Sequence, residues 1–186
     1  MPLNCENPCA LADYTASGCT KSAGLKALFW ALRSDIDLVA TAANVSAGGV
    51  LSAWVMVGAA VFNRVYFERE QAFYTATFTE DADSYDVLIQ LMSEGKAATR
   101  TQVLREALGC CDIVIHTFDN SCVERILGID WDGTDLFEPV DGLHIGRHLD
   151  ASGAKGSDKA RDEFDIVGKQ DTAPLFATVT IAAMPV

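Results

Sequence analysis

A mainly β fold, an antiparallel β-sandwich or barrel with one packed α-helix and an N-terminal arm, is what this chain predicts. Apolar and polar residues alternate with period two along most of the sequence from residue 24 onward. Turn residues return roughly every ten positions, the spacing of short strands in sandwiches and barrels. Only 96–109 carries the 3.6-residue period of an amphipathic helix. Residues 1–20, with Pro2, Pro8 and Gly18 and little periodicity, read as the arm, and 21–186 as a single β-rich domain.

The strands follow in order. "GLKALFWALR" (24–33) alternates around Leu25, Phe29 and Leu32 and is too rich in bulky apolar residues for an exposed loop. "GVLSAWVMV" (49–57) comes after the Gly48-Gly49 turn with apolar residues on both faces, so both faces are expected to be covered. "VFNRVYFERE" (61–70) alternates. "AFYTATFTE" (72–80) is dense in aromatic and β-branched residues, and "SYDVLIQLM" (84–92) completes a meander of closely spaced strands. In "KAATRTQVLREALG" (96–109), Thr99 and Gln102 stand at capping-box spacing, Val103, Leu104, Ala107 and Leu108 share a face, and Gly109 stops the helix. "CCDIVIHTF" (110–118) and "CVERILGIDW" (122–131) read as a hairpin around Asp119-Asn120-Ser121. Asp-Gly at 132–133 and again at 141–142 is tight-turn chemistry. "DEFDIVGKQ" (162–170) and "LFATVTIAA" (175–183) are the closing strands, separated at Pro174.

Composition narrows the function classes. With 186 residues, 49% hydrophobic and 22% charged, the chain is long and apolar enough to bury a core. No apolar run spans a bilayer, and the first residues lack the basic and continuous apolar regions of a signal peptide, so no membrane partner and synthesis in the cytoplasm are expected. A net charge of −12 disfavours any surface that grips a phosphate backbone. Cys5, Cys9, Cys19, Cys110, Cys111 and Cys122 lack the paired spacing of a zinc site and are expected to be free thiols.

The candidate sites are few. "DWDGTD" (130–135) resembles half a calcium loop, but Asp135 and Asp141 stand where an EF-hand needs Gly and Glu; an Asp-Gly turn with solvated carboxylates is expected. His144 and His148 are four apart among glycines that argue for a loop, without a third ligand. His116, inside an apolar strand, is expected to be hydrogen-bonded and partly buried instead of catalytic. No nucleophile elbow, phosphate loop or dinucleotide fingerprint occurs, so no catalytic residue, cofactor or metal is expected. One stretch stands out. "DASGAKGSDKARD" (150–162) places Asp150, Lys155, Asp158, Lys159, Arg161 and Asp162 in a polar loop with two glycines, in front of the closing strands. Ordering it costs about 1–2 kcal/mol per residue with almost no apolar surface in return, so its expected role is to order against a neighbouring subunit.

The order of these features resembles small phage and prophage virion proteins of the tail tube type. "KSAGLKALFWALRSDI", "FYTATFTED", "ATRTQVLREALG", "VIHTFDNSCVERILGID" and "DASGAKGSDKARDEFDIVGKQDTAPLF" carry the resemblance over most of 20–176. The chain departs from the pattern at "VERILGID", where a more aromatic strand belongs. The resemblance implies a non-enzymatic structural protein of the virion, assembled in the host cytoplasm. Its partners would be copies of itself in stacked hexameric rings, other virion proteins, and DNA that passes through an acidic lumen without specific binding. A capsid decoration or tail terminator protein, or a small ligand-binding β-barrel, are the alternatives.

Overall fold

The computed structural model describes residues 24–66, 72–94, 112–119, 123–139, 141–151, 161–179 and 181. The arm at 1–20, the helix at 96–109 and all six cysteines lie outside these. Within them the protein is mainly β. The strands are β1 (Leu25–Leu32), β2 (Val50–Leu51), β3 (Asn63–Tyr66), β4 (Ala72–Thr79), β5 (Ser84–Glu94), β6 (Ile113–Asp119), β7 (Glu124–Leu127), β8 (Asp130–Trp131), β9 (Leu136–Phe137), β10 (Asp141–Ala151), β11 (Arg161–Gln170) and β12 (Leu175–Ala177).

Among the described residues ten strands form one continuous sheet folded into two layers, and β8 pairs only with β9. The first layer runs β3-β1-β6-β7-β12-β2, and the second runs β10-β11-β5-β4. Every pairing is antiparallel except the short parallel match of Phe176 and Ala177 with Val50 and Leu51. Period-two alternation explains how the layers meet. Leu25, Leu28, Trp30, Ile113, Ile115 and Leu127 project from one face of the first layer onto Val87, Ile89, Leu91, Phe164 and Ile166 of the second. The opposite face of the first layer, with Ala31, Val114, Ile126, Leu175 and Ala177, is covered by Ile36, Ala42, Leu51, Phe62 and Leu136. Residues 113–117 of β6 are therefore buried on both faces, which is why the strand reads as a continuous apolar run.

The layers join at one ladder pair. Leu127 opposite Ile115 ends the β6–β7 ladder; the chain then turns aside at Gly128, and Leu143 of β10 takes the next place, opposite Ile113. β1 already holds Ile113 through Leu32, so β10 can reach it only on the side that β7 has vacated. Gly128 has φ +86°, and a Cβ there would lie 2.4 Å from the Ile113 carbonyl oxygen. The strand expected across 122–131 is broken at this residue for that reason.

Other expectations are corrected by tertiary contacts. Of 49–57, only Val50 and Leu51 are in a strand; Trp54 instead packs its ring 5.0 Å from that of Phe62, and Met56 forms an isolated bridge with Ile36. Asp141-Gly142 opens β10 and is not a turn; a Cβ on Gly142 would lie 2.4 Å from Asp112 Oδ1, the end of a half-exposed side chain that would have to swing aside. The last strand stops at Ala177, after which Val179 and Ile181 pack on the covered face. A helix unseen in the sequence, α1 (Leu38–Ala42), is capped by Asp37, whose Oδ1 accepts from the Ala40 N–H at 2.9 Å. Its five residues are too few to display a period. Among the described residues no helix is long and apolar enough to cross a membrane.

Gly128→Ala is expected to cost about 3 kcal/mol, because it adds both a left-handed strain and an atomic overlap at the joint. Gly133→Ala, at φ +102° with nothing within 4 Å, serves as the comparison. Its cost should be only about 1–2 kcal/mol in urea denaturation, and equal losses would contradict this account of the joint.

Candidate functional site

Two places gather polar side chains with something to do. The first is the four-stranded second layer. β11 is paired along its length with β5 on one side and with β10 on the other, and β5 is paired on its far side with β4. Among the described residues β4 has no strand beyond it, and β10 after Leu143 has only β11. Among the described residues both ends of this layer are therefore edges, where an open strand offers backbone N–H and C=O groups to another strand.

The loop expected at 150–161 is shorter than that. Asp150 stands opposite Asp162 and Ala151 opposite Arg161 in the β10–β11 ladder, with Arg161 also opposite Glu94 of β5. Strand propagation from the long β11–β5 ladder carries these positions into the sheet, so they are not loop residues. Lys155, Asp158 and Lys159 lie outside the described residues, in the connection that leaves the Ala151–Arg161 pair.

The outward face of this layer sets ion pairs and threonines beside the exposed ring of Phe73. Arg147 lies 3.5 Å from Asp165 and 3.8 Å from Glu163, and Gln90 donates to Asp165 at 3.0 Å. Lys169 lies 3.6 Å from Asp86. The Thr79 hydroxyl donates to Asp86 and, with some help from Lys169, holds that carboxyl below the usual carboxylate range. Thr75 and Thr77 are exposed on the same strand face of β4.

The histidine pair does not converge. β10 shifts register between Ile145 and Arg147, so His144 pairs with Val167 while His148 pairs with Phe164. His144 is exposed and its Nδ1 is 2.9 Å from the Gly142 carbonyl oxygen; His148 stacks on the buried Phe164 with centroids 4.5 Å apart. The carboxylates of 130–135 also part company. Asp130 is buried and not solvated as expected: its Oδ1 accepts from both the N–H and the hydroxyl of Thr172 at 2.9 Å. Asp132 alone makes the Asp-Gly turn, its Oδ1 accepting the Thr134 and Asp135 N–H groups at 2.8 Å, which lowers its pKa. Among the described residues no three His, Cys, Asp or Glu side chains gather as a metal site would require.

The second place is His116, which is 1% exposed. Trp54 Nε1 lies 3.2 Å from His116 Nδ1, and His116 Nε2 lies 2.7 Å from Glu124 Oε2. An indole N–H can only donate, so Nδ1 must accept, and the imidazole proton sits on Nε2 and is donated to the carboxylate. The ring is therefore held as one neutral tautomer. Beside it opens a cavity of about 280 Å³ lined by Lys26, Ala27, Phe29, Phe118, Val179 and Ile181, with His116 and Glu124. Sequence reasoning found a hydrogen-bonded histidine but not its partners or its cavity, since Trp54 is 62 residues away.

Comparison with protein-family models, with curated proteins and with solved structures yields no match. Glu124→Ala should destabilise the fold by about 1–3 kcal/mol, because the buried His116 Nε2–H loses its acceptor. Glu124→Gln, whose carboxamide oxygen still accepts, should lose clearly less in the same urea titration; equal losses would mean the hydrogen bond is not what Glu124 contributes.

Proposed function

We infer that this chain is a self-assembling virion component of the tail tube kind, a non-catalytic subunit whose stacked rings enclose a passage for DNA. The observation that supports it best is the pair of edges, β4 and β10, that no described strand covers at opposite ends of one four-stranded layer. Unlike edges join head to tail, and head-to-tail joining either closes into a ring or runs on as a filament. A ring of such copies continues the second layer around its circumference. The wider first layer, with its six strands, then falls on the outside, where the circumference is larger.

In that arrangement the outward face of the second layer lines the passage. Its cations, Arg147 and Lys169, lie against Asp165, Glu163 and Asp86, and the chain as a whole carries −12. With three carboxylates against these two cations, such a lining repels phosphate more than it holds it, so DNA slides without sticking. Strand ends point along the ring axis, and the connection bearing Lys155, Asp158 and Lys159, flanked by Asp150, Arg161 and Asp162, springs from one such end. Its mixed charge suits contact with the next ring. Hexameric rings and other virion proteins as partners are what the resemblance implies; a decoration or terminator protein would form discrete small oligomers from the same fold.

Light scattering across a concentration series, with electron micrographs of the same samples, tests this. Rings that stack into tubes are expected, and a monomer at all concentrations would overturn the reading. Replacing 152–160 with Asn-Gly, which closes the Ala151–Arg161 pair as a two-residue hairpin, should leave the monomer's Tm nearly unchanged and stop growth at single rings. Tubes that grow as before would show that this connection plays no part in stacking.

A further inference from the structure

We propose that the cavity beside His116 is a binding site for a small phenol, a compact aromatic body carrying one hydroxyl. The site is separate from the open edges and does not depend on the ring reading. Three features of its construction lead to that ligand class.

A β-bulge shapes the wall. The β1–β6 register slips between Leu25 and Ala27, so that Ala27 faces Phe118 and Lys26 is the extra residue. Without the slip, Lys26 and Ala27 would point to opposite faces. With it, both line the cavity, and the Lys26 ammonium is placed 5.6 Å from the centroid of the Phe118 ring. Bulges that turn a charged side chain toward a cavity are a feature of binding sites more than of plain packing.

The polar inventory then selects the head group. His116 has nothing left to offer, because Nδ1 accepts from Trp54 and Nε2–H is given to Glu124. Glu124 uses Oε2 for that bond and keeps further acceptor capacity on its carboxylate, while Lys26 brings donors. A hydroxyl matches both, donating to Glu124 and accepting from Lys26. A carboxylate ligand meets repulsion from Glu124, an amine meets it from Lys26, and a hydrocarbon leaves both without a match. The body is fixed by the apolar part of the lining, Phe29 and Phe118 with Val179 and Ile181, which is both aromatic and aliphatic. A volume of about 280 Å³ lies at the small end of ligand sites and suits a single ring.

Calorimetric titration of the full-length protein with 4-methylphenol, and in parallel with toluene and 4-methylbenzoate, tests the assignment. Binding of 4-methylphenol is expected, with toluene and 4-methylbenzoate each weaker by about 10-fold or more. Lys26→Met and Glu124→Gln should each shrink the preference for the phenol over toluene, and Val179→Trp, which fills the slot, should abolish binding of both. Equal affinity for toluene and 4-methylphenol would reduce the site to an apolar void and overturn the proposal. So would an absence of binding up to the solubility of the phenol, or a preference untouched by Lys26→Met, a change at a partly exposed residue that keeps most of the length of the side chain and so keeps the test open should Val179→Trp fail to fold.

Discussion

Ile113 is held by three segments of the chain at once, and the shape of the molecule follows from how that crowding is resolved. β1 occupies one side of it through Leu32, β10 occupies the other through Leu143, and Gly128 passes so close that its missing side chain would collide with the Ile113 carbonyl. A residue with a Cβ at 128 would have to push β7 away from β6 or β10 away from both. Because Gly128 removes β7 from the ladder at this point, the sheet can turn a corner and fold its last four strands across its own face. The same corner limits β10 to a single pair with β6, which is what leaves the rest of β10 as an edge.

Much of this was legible where one face of a strand is wet and the other dry. β4 shows it plainly: Ala72, Tyr74 and Ala76 turn inward while Phe73, Thr75 and Thr77 are exposed, and its limits fall within a residue of those expected from the sequence. The β6–β7 hairpin and β11 are likewise found where alternation and turn residues put them. Segments that cover a face instead of forming one escaped. Trp54, Met56, Ile36 and Ala42 are apolar because they roof the first layer, and their pattern carries no period because no single regular element holds them. Composition alone also overstates a loop: Asp150, Ala151 and Arg161 look like linker residues but are drawn into the ladder by the long strands on either side.

The candidate sites differ in legibility for the same reason. An acidic chain with a mixed-charge glycine connection is a local signal, available from residues next to one another. The environment of His116 is assembled from Trp54, Glu124 and a one-residue slip at Lys26, none of which is adjacent in sequence to the others. A bulge is invisible to a reading based on alternation until the partner strand is known, because either face assignment fits Lys26 equally well.

The proposed assembly stands or falls on the edges. Hydrogen exchange of the backbone amides, compared between monomer and assembled particle, measures them directly. If copies join through β4 and β10, the amides within 72–79 and 144–151 that point away from β5 and β11 should exchange about 100-fold or more slowly on assembly, while those of β11, paired on both sides, change little. Particles in which both edges exchange as freely as in the monomer would contradict the account, whatever their size or symmetry.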